Sequence, residues 1–238
     1  MLVSELITVC REDYLDDNVA PYLWSDTFFI RAFAESERQA CNRTKFLYND
    51  STASIVEITL VDGQATYDLS QKITYIESIL WETNLVAHKS KEELDRETPA
   101  WRTDTGLTDN VITAFVRGRS MRFSRIPDSD DAGSKVYLEV YTLPLTDITA
   151  TGDTPSIPDE NHRDLVWNVL QQAYSKNDED SQNLEKTAYY EAKVTESFGD
   201  YVSGEVRLNQ FNSPKVLTLR PVNYEGNRVR RGTDESLW

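Results

Sequence analysis

The hydrophobic period of this chain changes twice, and that double switch narrows the folds open to it. Within residues 3–14, Leu6, Cys10 and Tyr14 continue a spacing of four begun by Leu2, and Val3 and Ile7 flank them, which predicts one helix face. A second helix is predicted from "LWSDTFFIRAFAESERQACNRT". Ser25 is suited to its N-cap, because a serine hydroxyl accepts from a free first-turn amide. Trp24 and Phe29 stand where a hydrophobic staple closes across such a cap. Phe29, Phe33 and Ala40 then share a stripe, and "DDNVAPY" reads as the turn of a helical hairpin.

From Asn49 the period falls to two. In "SIVEITLVDGQATYDLS", Ile58 and Leu60 precede an Asp62–Gly63 pair, and Ala65, Tyr67 and Leu69 follow it. That pair offers the positive φ of a tight turn, so a β-hairpin is expected there. "ITYIESILWETN" and "KVYLEVYTL" read as strands, and "VITAFVRGRSMRFSRIPD" as a hairpin about Gly118. "SKEELDRE" reads as a short helix with a Ser90–Glu93 capping box.

After residue 150 the helical period returns. Leu165, Val166, Val169, Leu170, Ala173 and Tyr174 form one face, and a last helix over 178–202 carries Leu184, Ala188, Val194, Phe198 and Val202. The fold class expected is α+β: a discontinuous helical bundle of N- and C-terminal helices, an inserted antiparallel β unit and an extended C-terminal arm. The expected divisions are 1–48 for the helical hairpin, 49–150 for the β insertion, 151–206 for the C-terminal helices and 207–238 for a basic arm.

Charge separates the arm from the rest. Residues 207–238 hold six Lys or Arg against three Asp or Glu, while residues 1–206 hold 19 against 37, a net of −18. An acidic body repels a phosphate backbone, which argues against sequence-specific DNA binding. The arm also keeps Phe211, Leu217, Leu219, Val222, Tyr224 and Trp238 beside Arg228, Arg230 and Arg231. So many large apolar groups predict an arm that orders on a partner, by adding a strand to a sheet edge, rather than a linker. No run of ~20 apolar residues spans a bilayer, and the acidic "MLVSELITVCREDYLDD" start is unlike a signal peptide. An intracellular protein, or one released other than by secretion, is expected.

The stretch "GDTPSIPDENHRDLVWNVLQQAY" poses the question of catalysis. His162 lies among Asp159, Glu160 and Asp164, so a base with carboxylate neighbours, as in a small hydrolase, is one reading. The other is helix punctuation, with Pro158 at the first helical position and acidic groups at the positive helix end. Punctuation accounts for every residue of the cluster and is preferred. Cys10 and Cys41 are too few and too separated for a metal knuckle or disulfide framework, and read as buried thiols. His88 lacks the partners of a zinc site. "DSDD" and "NDED" lack the calcium-loop pattern and read as solvated loops. Trp81, Trp101, Tyr75 and Tyr141 suggest a carbohydrate platform, as in a tail-fibre or receptor-binding module, but strand aromatics are more often core or subunit contacts. No cofactor is expected.

Taken in order, "LWSD", "DGQATYDL", "ELDRETPAWRTDTG", "YTLPLTD", "DTPSIPDENHRDLVWNVLQQAY" and the "LEKTAYYEAKV" helix resemble the head-to-tail adaptor (connector) proteins of short-tailed bacteriophages, over about residues 1–202. The resemblance implies a structural virion protein without catalytic residues, assembled in the host cytoplasm. It implies a homo-oligomeric ring of about twelve copies, closed by heterologous contacts, beneath the portal protein. That ring would join the capsid to a tail nozzle, tail tube or fibre protein and let DNA pass without specific binding. On this reading the nine arm residues named above are the expected contacts to portal or neighbouring subunits, Arg228, Arg230 and Arg231 meeting acidic groups and Phe211, Leu217, Leu219 and Trp238 acting as anchors.

Overall fold

In the computed structural model, which describes residues 1–81, 84–97, 99–105, 113–176 and 182–201, the first helical signal becomes α1 (Val3–Val9) and a π-helical turn, Cys10–Leu15, that continues it. Asp16 ends the run at φ 51°, a left-handed conformation that a short polar side chain tolerates. The following loop is tied by charge. Asp17 is buried, and its carboxylate accepts the amides of Leu23 at 2.8 Å and Trp24 at 3.1 Å. Arg11 donates to the Trp24 carbonyl at 2.7 Å and to Asp26 at 2.9 Å, and lies 3.9 Å over the Tyr22 ring. This fixes the angle at which α2 (Asp26–Arg43) leaves the turn. Ser25 caps α2 by accepting from the Phe28 amide at 3.2 Å. The ring that Trp24 meets across the cap is Phe28, at 4.8 Å, one position before the Phe29 expected; Phe29 is turned fully into the core.

The middle of the chain forms two sheets. β1 (Tyr48–Asn49), β2 (Glu57–Thr59), β4 (Ile73–Trp81), β5 (Asn84–Leu85) and β9 (Lys135–Thr142) make the first, in which β9 pairs with β1, β2 and β4. β3 (Thr66–Asp68), β6 (Ala87–His88), β7 (Thr113–Arg117) and β8 (Ser120–Phe123) make the second, in the order β3-β8-β7-β6. A single helical turn, α3 (Ala53–Val56), stands where strand was expected, and α4 (Lys91–Glu97) follows β6. Its capping box is present: the Ser90 amide donates to Glu93 at 2.8 Å and the Glu93 amide to the Ser90 hydroxyl at 3.2 Å. Gly118, at φ 62°, turns β7 into β8 as expected.

The hairpin expected at Asp62–Gly63 does not form. Gly63 does take φ 75°, but its amide donates to the Pro127 carbonyl, and β2 and β3 enter different sheets. The turn hands the chain from one layer to the other. Pairing is not wholly antiparallel either, since β6 runs parallel to β7. "DSDD" is less solvated than expected: Asp131 is 1 % exposed, and the Asp128 amide donates to its carboxylate at 3.1 Å. "NDED" lies outside the described residues.

The helical period then resumes in α5 (Leu165–Ser175) and α6 (Leu184–Phe198). Every predicted apolar residue of α5 except half-buried Tyr174 is buried. In α6 the expected Val194 and Phe198 are buried, but the first half of the helix turns a different face inward. Leu184 and Ala188 are exposed, and Tyr190, Val194 and Phe198 face inward. The cause is aromatic packing: Tyr190 stacks on Tyr174 at 5.7 Å and on Trp167 at 6.2 Å, which sets the rotation of the helix. Asn183 caps this helix, accepting from the Lys186 amide. Val202 and residues 178–181 lie outside the described residues.

Two buried clusters result. One joins α1, α2, α5 and α6; the other fills the space between the two sheets. Cys10 and Cys41 sit in the first as free thiols, and burial pushes Cys41 up to about 12 and Cys10 higher still. Polar latches align the two halves of the helical cluster. Ser36 donates to the Leu165 carbonyl at 2.9 Å, Asn168 to Gln39 at 2.6 Å, and the Ser156 amide to Glu37, which is 1 % exposed. Burial raises the Glu37 pKa above its usual 4.5, outweighing the amide hydrogen bonds that lower it.

Because the folded form holds this proton more tightly than the unfolded chain, stability should fall as pH rises from 4.5 towards the folded value. Glu37→Gln keeps the acceptor oxygen and removes the ionisation. Urea midpoints of that variant should decline less across this window than those of the parent; parallel profiles would refute the assignment.

Candidate functional site

The histidine cluster was the strongest candidate for chemistry. Pro158 starts a 3-10 turn, Asp159–Asn161, and α5 proper begins only at Leu165, so Pro158 precedes the helix rather than opening it. His162 is 0 % exposed. Its Nε2 is 2.8 Å from the Ile157 carbonyl, and a carbonyl can only accept, so Nε2 carries the hydrogen. Nδ1 is then the acceptor, 2.9 Å from the backbone nitrogen of Met1. Both ring nitrogens are engaged with backbone, and neither faces a substrate. Of the carboxylates around it, Asp159 is exposed at 3.5 Å, and Asp164 accepts from the Trp167 indole at 3.3 Å.

His162 is instead a clasp between the chain's first residues and the 149–164 connection. The Val3 amide donates to Asp153 and the Ser4 amide to Thr151, at 2.9 and 2.8 Å, on the same connection. Asp153 in turn accepts the amides of Thr149 and Ala150, which lowers its pKa. The arrangement binds segments of chain.

The aromatic set divides. Trp81 and Trp101 are buried, so no four-ring platform exists. Tyr75 and Tyr141 join Tyr48 on the first sheet, with ring centroids 6.3 and 5.7 Å apart along the row. Lys45 lies 3.3 Å over Tyr75 and pairs with Glu77 at 3.2 Å. Tyr48 stays 49 % exposed. This small shelf adjoins the end of the described chain: Phe46 packs edge-on against Phe198, and Arg43 donates to the Gly199 carbonyl at 3.0 Å.

The nine arm residues expected as contacts, Phe211, Leu217, Leu219, Val222, Tyr224, Arg228, Arg230, Arg231 and Trp238, lie outside the described residues. His88 is half-buried, and burial lowers its pKa. Among the described residues no group of three or more His, Cys, Asp or Glu is placed to hold a metal ion, and no helix is long and apolar enough to cross a membrane.

One feature escaped the reading by periodicity: a cationic cleft on the second sheet, lined by Lys91, Trp101, Arg102, Phe115, Arg117 and Arg122 among others. The signal was available as a local reversal of charge. Residues 111–125 carry four arginines and no acidic residue, in a chain with 40 Asp and Glu.

His162→Ala should leave two backbone groups without their partner and lower folding stability by about 1–3 kcal/mol. The readout is the urea midpoint of the purified chain; an unchanged midpoint would show that the clasp contributes nothing.

Among known families, a model described as SU10 adaptor protein matches residues 1–217, which takes in both clusters and the start of the arm. No curated protein matches the chain.

Proposed function

The chain belongs to the SU10 adaptor protein family, a family of phage adaptors and so of virion components, and from that premise we propose that it forms a ring beneath the portal that joins head to tail. The observation that carries this reading is the family match over residues 1–217, in agreement with the resemblance noted from the sequence. The His162 geometry favours the same side, because the histidine serves backbone and has no nitrogen left for proton transfer.

The role follows from shape and charge. A ring of about twelve copies closes by heterologous contacts, each subunit offering one patch and receiving another. DNA passing through its centre is not gripped, because each neutralised phosphate would add counterion-release affinity and slow passage. A body with net −18 over residues 1–206 supplies the repulsion. Residues 1–48 with 151–206 form the structural body on this reading, residues 49–150 face the tail nozzle, tube or fibre, and 207–238 dock on portal or a neighbour. The role is structural, and neither catalysis nor a cofactor enters it.

The arm's apolar anchors and arginines make its deletion informative. Full-length chain mixed with purified portal rings should co-sediment as a stoichiometric collar, and a chain ending at residue 206 should lose that binding. Undiminished binding of the shortened chain would remove the arm from the proposal, and failure of the full chain to bind would overturn the adaptor ring itself.

A further inference from the structure

Lys and Arg number 25 against 40 Asp and Glu in this chain, yet four cations converge on one cleft. Strand alternation explains how. Ala114, Val116, Met121 and Phe123 point into the core, so Phe115, Arg117, Ser120 and Arg122 share the outer face of β7 and β8. The register sets Phe115 opposite Arg122 and Arg117 opposite Ser120. Lys91 from α4 and the Trp101–Arg102 turn close this face into a cleft of about 370 Å3.

The floor is aromatic and rigid. Trp101 meets Phe115 edge-on at 5.3 Å, and its indole donates to Asp95 at 2.8 Å. Arg102 and Arg122 lie 4.4 and 4.8 Å from the Trp101 ring. Arg102 is neutralised by Asp95 at 2.6 Å. The other three cations are not neutralised among the described residues. Among the described residues Arg122 donates once, to the Arg102 carbonyl at 3.2 Å, and its buried Nε has no partner. Lys91 and Arg117 have no carboxylate within ion-pair distance among the described residues.

Unpaired guanidinium groups beside an apolar floor suit planar carboxylates, which they bind through paired, charge-assisted hydrogen bonds. A rich source of carboxylates is the chain itself, with 37 in residues 1–206. Two such bodies repel unless a cationic patch on one meets an acidic surface on the other. A polyanion such as DNA would have to approach through the field of the whole body, which disfavours it. We propose that this cleft is the receiving half of the contact between neighbouring copies, with Lys91, Arg117 and Arg122 taking carboxylates of the next subunit over the Trp101–Phe115 floor. The proposal rests on the ring reading and adds to it the chemistry of one side of the subunit contact.

The test uses full-length chain assembled on portal rings from an equal mixture of 14N- and 15N-labelled copies. Zero-length carbodiimide coupling should join Lys91 to an Asp or Glu of the other isotope, with the link lost as salt is raised. Arg117→Glu, at an exposed position that leaves the core untouched, should abolish that link and the closed collar while single copies still bind portal; Arg122→Glu is the second variant. Closed collars formed by both variants, or Lys91 coupled only to portal, would overturn the cleft contact and leave the ring intact. Labelled duplex DNA bound at moderate salt and released by Arg117→Glu would assign the cleft to nucleic acid and overturn it as well. If the wild-type chain forms no collar, the ring reading itself has failed.

Discussion

The helical core depends on closing a loop of about 120 residues, 44–164, because α1 and α2 must find α5 and α6 across the whole β region. Loop-closure entropy grows only by about 0.6 kcal/mol per doubling of length, so the separation is affordable. Alignment is the harder requirement. Apolar helix faces tolerate sliding by a turn, whereas a hydrogen bond has one correct partner. Ser36 to Leu165 and Gln39 with Asn168 provide that exactness at the α2–α5 contact, and Glu37 with Ser156 provides it at the connection that leads into α5. The Val3, Ser4 and His162 bonds do the same for the start of the chain. The segment that first invited a catalytic reading is thus where the two halves of the core are registered.

Local chemistry was well recorded in the sequence. The Ser25 and Ser90 caps, the Gly118 turn and the α5 face each depend on residues within a few positions of one another. What periodicity could not carry was partnership. A period of two says that Ile58 and Tyr67 are buried, but not that they belong to different sheets. The α6 face misled for a related reason: Leu184 and Ala188 fit an apolar stripe, and the rotation was decided by stacking on Trp167 and Tyr174 from another helix. The cationic cleft was invisible to hydropathy, since its cations come from two strands, a helix and a turn. The His162 clasp was foreseen as structural, but its partner 161 positions away was not.

In the proposed ring, charge and fold would answer to one demand. An assembly of acidic subunits around DNA gains easy passage and loses cohesion, because the field that repels phosphate also repels the neighbour. Cohesion then has to come from localised contacts with unlike charge and apolar anchors. The charge distribution is compatible with that proposal, with a net of −18 over residues 1–206 and a basic, aromatic-bearing segment after them.

The β region enters and leaves through neighbours. Tyr48 opposes Tyr141 on antiparallel strands, the Thr142 amide donates to the Leu47 carbonyl at 2.9 Å, and Lys72 reaches the Pro144 carbonyl at 2.7 Å. Its two ends therefore emerge side by side from the helices, like the prongs of a plug. The β region is thus held to the helices at one place, by two neighbouring strands of chain, rather than at two distant points.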